Sequence, residues 1–167
     1  MANFTPLTKF TDSRGWSLNG IYDEYRKIVT ARNLEAKCPD DVKDPMNFQI
    51  NYSILYPGIV KAWHRHELQD DFFCILNGMA QVGTFDPEAG KNGQIIGGTP
   101  KKFFIGEHNP GIVHIPAGEW HGLTAVGDKP CGLLYLVTNK YNPTKPDEER
   151  APFDSFVPRD WWFPENK

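Results

Sequence analysis

From Phe48 to Leu55 the chain alternates in the manner of a strand: Phe48, Ile50, Tyr52 and Ile54 take one side, Gln49, Asn51 and Ser53 the other. A period of two marks a β-strand. Apolar runs of similar length recur at short intervals, at Ile59 to His66, Asp71 to Leu76, Ala80 to Phe85, Lys102 to Gly106, Gly111 to Ile115, Gly122 to Val126 and Cys131 to Thr138. Between them lie Asn77-Gly78, a Gly-rich stretch from Asp86 to Pro100, Asn109-Pro110-Gly111, Pro116-Ala117-Gly118 and Gly127-Asp128, all of which carry turn chemistry. Many short strands with such punctuation predict an all-β antiparallel sandwich or barrel. The helical period occurs only from Ile21 to Asn33, where Ile21, Tyr25, Ile28 and Val29 fall near one face and predict a short N-terminal helix. Ahead of it, Asp12-Ser13-Arg14-Gly15 reads as a turn presenting Arg14 between two extended pieces. Residues 38–45 read as a polar loop. From Asn142 onward Pro, acids and aromatics predict an irregular tail that wraps the barrel and adds no strand, with Trp161 and Trp162 packing against it.

Composition narrows the function classes. With 167 residues, one domain (1–167) is expected, large enough for a single core. A formal net charge of -3 disfavours nucleic acid as partner, although a small anionic ligand needs only a few local cations. Cys38, Cys74 and Cys131 are odd in number and widely spaced, so neither a disulfide framework nor a zinc knuckle is indicated, and a reduced, cytoplasmic setting is expected. No apolar run approaches the ~20 residues a membrane span requires, and the opening residues lack a leader pattern, so a soluble, unprocessed protein is expected.

The candidate chemistry begins with His64 and His66, two of the five histidines, one residue apart in an apolar run. On a strand such a pair shares a face and can converge on one object. The surrounding spacing, Gly58, His64, His66, Asp71, Gly78, resembles the first cupin motif, and Pro116-Ala117-Gly118-Glu119-Trp120-His121 resembles the second. The resemblance implies a double-stranded β-helix, or jelly-roll barrel, whose mouth is lined by His64, His66, Asp71 and His121. Asp71 stands where the motif usually has Glu, and Ala125 where the second motif closes with Asn. Three imidazoles and a carboxylate form a complete donor set for zinc, iron, manganese or nickel. His108 and His114 fit no such pattern and are expected at the surface or in packing.

A second resemblance covers residues 10 to about 145. Asp12-Ser13-Arg14-Gly15, Gln49-Ile50-Asn51-Tyr52-Ser53, Gly58 to His64, Ile115 to Gly122 and Leu134 to Pro143 resemble the dTDP-4-dehydrorhamnose 3,5-epimerases and related sugar-nucleotide isomerases. The implied activity is epimerisation or isomerisation next to the C4 ketone of a 4-keto-6-deoxy sugar nucleotide, in carbohydrate biosynthesis, with no cofactor required. In that family the histidine matching His64 is the base and the tyrosine matching Tyr135 the acid on the opposite ring face. Inversion at carbon requires such a pair. Arg14, Gln49, Asn51 and Lys61 would contact the nucleotide diphosphate, His121 the phosphates or sugar, and Tyr141 the base. Asp160 is the candidate partner of His64, and a homodimer is implied. The apolar character of both faces of the strand from Leu133 agrees with cover on both sides.

Two substitutions leave other readings open. Asp71 replaces the family's enolate-assisting lysine, and Lys61 replaces an arginine and lies an odd number of residues from His64, facing away unless a bulge intervenes. A metal held by His64, His66, Asp71 and His121 would supply the missing positive charge. His-x-His followed by an acidic segment also resembles the 3,4-ketoisomerases. The alternatives are a metal-dependent cupin of another class, either a dioxygenase or a small-sugar isomerase, and a non-catalytic sugar-binding cupin.

Overall fold

A computed structural model describes residues 1–13, 15–35, 48–90 and 94–162. Its strands are β1 (Asn3–Pro6), β2 (Lys9–Asp12), β3 (Gly15–Leu18), β4 (Gln49–Leu55), β5 (Val60–Arg65), β6 (Asp71–Asn77), β7 (Met79–Ala89), β8 (Ile95–Gly106), β9 (Gly111–Ile115), β10 (Trp120–Val126), β11 (Cys131–Val137) and β12 (Glu149–Arg150). The helix α1 (Ile21–Glu35) lies between β3 and β4. Two five-stranded antiparallel sheets, ordered β1-β9-β6-β11-β4 and β12-β5-β10-β7-β8, face one another as a double-sheet barrel, and β2 and β3 form a separate hairpin.

Strand alternation sorts the apolar residues into three clusters. Inward side chains such as Leu55, Phe73, Ile75, Val82, Ile105, Val113, Leu123 and Leu133 fill the space between the sheets. On the outer face of the first sheet, Phe72, Cys74, Ile112 and Leu136 pack under Tyr25 and Val29 of α1. The outer cover of β11 is therefore the chain's own helix, and its two apolar faces reflect a central strand. On the outer face of the second sheet, Trp63, Phe85 and Trp120 meet Val157 and Trp162 of the tail. Trp63 and Trp162 both donate their indole N–H to the Phe153 carbonyl, which satisfies two buried donors.

Two elements differ from the sequence reading. The Gly-rich stretch from Asp86 to Pro100 is largely paired: β7 and β8 form one long hairpin with Asp86 opposite Thr99 and Phe85 opposite Pro100. The tail also adds a strand, because β12 pairs with β5, Glu149 opposite Arg65 and Arg150 opposite His64. An exposed strand edge offers unpaired amides and carbonyls that an extended tail can satisfy. Among the described residues, no helix is long and apolar enough to cross a membrane.

Candidate functional site

At one end of the barrel a cavity of about 1190 Å³ opens between the sheets, covered in part by the segment after β11. From the second sheet, β5 contributes Lys61 and His64, His66 follows just past its end, and the adjacent β10 brings the buried His121 opposite His64. From the first sheet, β6 contributes Asp71, β11 Tyr135, and β4 its polar side, Gln49, Asn51 and Ser53. The alternation of β4 thus turns its polar residues toward the cavity.

Lys61 and His64 share the cavity despite their odd spacing. The β5–β10 register shifts between His121, opposite His64, and Leu123, opposite Lys61, so three steps on β5 match two on β10. This is a bulge, and it restores the parity that regular alternation would break. Gly122 makes it possible, since a Cβ there would collide with the Ala62 methyl and stand 2.7 Å from the Lys61 carbonyl oxygen. Lys61 Nζ donates to Ser53 Oγ at 2.8 Å, a neutral partner that leaves its charge available to an anion.

The donor atoms of His64, His66, Asp71 and His121 lie within 4.8 Å of one another. Backbone carbonyls orient two of these rings. His121 Nδ1 lies 3.0 Å from the Glu119 carbonyl oxygen, and His66 Nδ1 faces the carbonyl of Asp147. A carbonyl only accepts, so both Nδ1 atoms carry protons, and in a neutral ring Nε2 presents its lone pair. Both Nε2 atoms point at the same carboxylate oxygen, Asp71 Oδ2, at 3.0 Å from His121 and 3.7 Å from His66. Facing acceptors require a proton or a cation between them. Asp71 is fixed on its other side by Gln69 Nε2, which donates to Oδ1 at 2.7 Å.

His64 stands apart from this arrangement. Its ring packs edge-on to His121 at 4.1 Å between centroids, with no hydrogen-bond partner for its nitrogens among the described residues. Burial, reinforced by His121, His66 and Arg150, holds its pKa well below the usual imidazole range and keeps the ring neutral. Across the cavity Tyr135 is pushed the other way, above the ordinary phenol value, by burial and then by Asp71 and Glu148, and stays protonated.

The remaining residues singled out in the sequence fall as follows. Gln49 ties the rim together, donating through Nε2 to Asn51 Oδ1 at 2.7 Å and accepting from the Tyr141 amide at 3.0 Å. Tyr141 itself is exposed at the cavity edge. Arg14 lies outside the described residues. Asp160 is exposed in a short 3-10 helix, Arg159–Trp162, against the outer face of the second sheet, and does not line the cavity, so it is not the partner of His64. Ala125 sits in the apolar core, where an asparagine would lack partners. His108 is exposed, and His114 is buried against Asp70 Oδ2 at 2.8 Å and stacked on Phe72. Sequence reasoning missed Gln69 and the cavity-lining residues of the tail, Lys140, Lys145, Asp147, Glu148 and Arg150. The tail residues follow the last long strand in a polar stretch, of which Pro146 to Asp154 resembles a segment of the same sugar-nucleotide isomerases, and only their return across the mouth brings them to the site.

A two-sheet antiparallel barrel with His-x-His, an acid and a later histidine converging at its mouth defines a cupin. No family model matches the chain. It is 45% identical over 104 residues, 62% of its length, to the probable low-salt glycan biosynthesis epimerase Agl13 of Haloferax volcanii, and spans 65% of that protein. It is 39% identical over 106 residues, 64% of its length, to the spore coat polysaccharide biosynthesis protein SpsL of Bacillus subtilis, and spans 68% of that protein. The chain belongs to the same family as SpsL. Its fold is shared with a dTDP sugar isomerase of Desulfovibrio desulfuricans, at a TM-score of 0.70 and 23% identity, over 98% of this chain and 92% of the other.

Proposed function

We propose that the protein is an epimerase or isomerase of a 4-keto-6-deoxy sugar nucleotide, dTDP-linked, in carbohydrate biosynthesis. The observation that carries this reading is the pairing of a buried, neutral His64 on one sheet with a protonated Tyr135 on the other, both lining one cavity. A C–H proton is removable by imidazole only when a neighbouring carbonyl can delocalise the charge, which selects a keto sugar. His64 takes that proton, the electron pair moves onto the ketone oxygen, and Tyr135 returns a proton to carbon from the opposite face. Arg14, Gln49, Asn51 and Lys61 would receive the diphosphate, His121 the sugar or phosphates, and Tyr141 the base. Similarity to Agl13, a probable epimerase, supports the class of reaction, and the dTDP sugar isomerase supports the nucleotide. Incubation with 4-keto sugar nucleotides in deuterated water should place label at C3, C5 or both. No incorporation from any of them, by apo and metal-loaded protein alike, would overturn the proposal.

A second reading is favoured by the orientation of His66 and His121. Metal-binding histidines characteristically donate their second ring N–H to a carbonyl or carboxylate, as both do here. His66, His121 and Asp71 would hold a divalent ion, with His64 either a fourth ligand or left free as base. Such an ion supplies positive charge for an enolate oxygen where the family has lysine. Elemental analysis of untagged protein decides this, and iron together with oxygen consumption would point instead to a dioxygenase.

The same reading extends to assembly and setting. On β4 the outward residues Ile50 and Tyr52, each 56% exposed, and Ile54, 38% exposed, support a homodimer packed on this face. Buried thiols at Cys74 and Cys131 support a cytoplasmic setting.

A further inference from the structure

We propose that Asp147 is a positioning residue for His66. Three contacts converge on it from a distance of about 80 residues in sequence. Its carboxylate oxygens accept the backbone amides of Glu67 and Leu68, each at 2.9 Å, and its carbonyl receives the Nδ1 proton of His66. The side chain thus locks the tail to the turn that leaves β5, and the backbone of the same residue sets the tautomer of the ring just before that turn. The other side of His66 is held independently, because its carbonyl accepts the Gly118 amide at 2.7 Å. Gly118, at φ +88°, adopts the left-handed conformation that this turn requires. With the residue anchored there, the ring retains rotation about its side-chain bonds, and Asp147 removes it. The consequence is an Nε2 lone pair presented to the same Asp71 oxygen that His121 faces.

The role of the ring as ligand rests on the metal reading above, whereas its orientation by Asp147 does not. Two readouts keep these apart. In apo protein labelled with ¹⁵N-histidine, above the imidazole titration range, His66 should show a single tautomer protonated at Nδ1, its signal assigned by loss in His66→Asn. Asp147→Ala should convert it to an exchanging mixture of both tautomers, and Asp147→Asn, which keeps one acceptor oxygen, should give a smaller change. Titration with Zn²⁺ alone should show affinity about tenfold to a hundredfold weaker in Asp147→Ala. Thr144→Ala, on the same tail segment but outside the cavity lining, should alter neither readout. The proposal is overturned if Asp147→Ala keeps the wild-type His66 tautomer, or if Thr144→Ala disturbs it equally. Should Asp147→Ala fail to fold, an unchanged His66 tautomer in Asp147→Asn would overturn it in the same way. Absence of Zn²⁺ binding by the wild type would sink the metal reading, and the tautomer would still decide the role of Asp147.

Discussion

Strands β4 and β5 flank the same cavity from opposite sheets, yet they are finished in opposite ways. The edge of β5 is closed by β12, and its outer side chain Trp63 is buried under Phe156, Trp161 and Trp162. Among the described residues β4 is the last strand of its sheet, and its outer side chains are apolar and exposed. Chemistry that depends on the position of an imidazole sits on the strand held from every side. Contacts of the kind that recognise a ligand sit on the strand left open, where apolar side chains can be covered by a second subunit.

If that division is real, the largest effects should come from β5 and the strand facing it. His64→Asn should lower turnover by about 10³-fold or more while leaving the fold intact. Tyr135→Phe should lower epimerised product by roughly 10²-fold, yet leave solvent exchange at the substrate C–H partly active, because the base remains. Equal loss of exchange and inversion in Tyr135→Phe would argue against separate base and acid. Trp162→Ala should cost about 3–5 kcal/mol, measured by denaturant unfolding, since it empties the cover of β5 and deprives the Phe153 carbonyl of one donor.

Gly122→Ala should cost about 1–3 kcal/mol by crowding the bulge. It should also raise KM more than it lowers kcat, if Lys61 loses the cavity while His64 keeps its place. On β4, Ile50→Lys combined with Ile54→Lys should leave the fold unchanged and yield monomer by light scattering, and a persistent dimer would move the interface elsewhere.

The smallest effect is on pH dependence. Because burial lowers the folded pKa of His64, the unfolded chain binds a proton first as pH falls below about 6.5. Stability should be unaffected above that range and decline below it, by up to about 1.4 kcal/mol per pH unit until the depressed folded value is reached. His64→Asn should flatten this slope.

Most of the barrel was legible, because period-two alternation and turn residues report local geometry. Gly111–Ile115 and the start of β6 at Asp71 coincide with the sequence reading, and His64 and His66 share a face as their spacing required. The long β7–β8 hairpin was not legible. Glycine and proline signal turns, and only cross-strand pairing over eleven registered positions shows that they are accommodated within strands here. The apolar face of β4 could be read, but not that it would remain exposed among the described residues.

The sequence by itself determined the antiparallel class, the family motifs and four of the donor groups, since each depends on neighbours within a few residues. Tertiary structure alone decided the bulge that brings Lys61 beside His64, the carbonyl that orients His66, and the removal of Asp160 from the site. These depend on register and on segments some 80 residues apart meeting in space. Local periodicity carries no record of either.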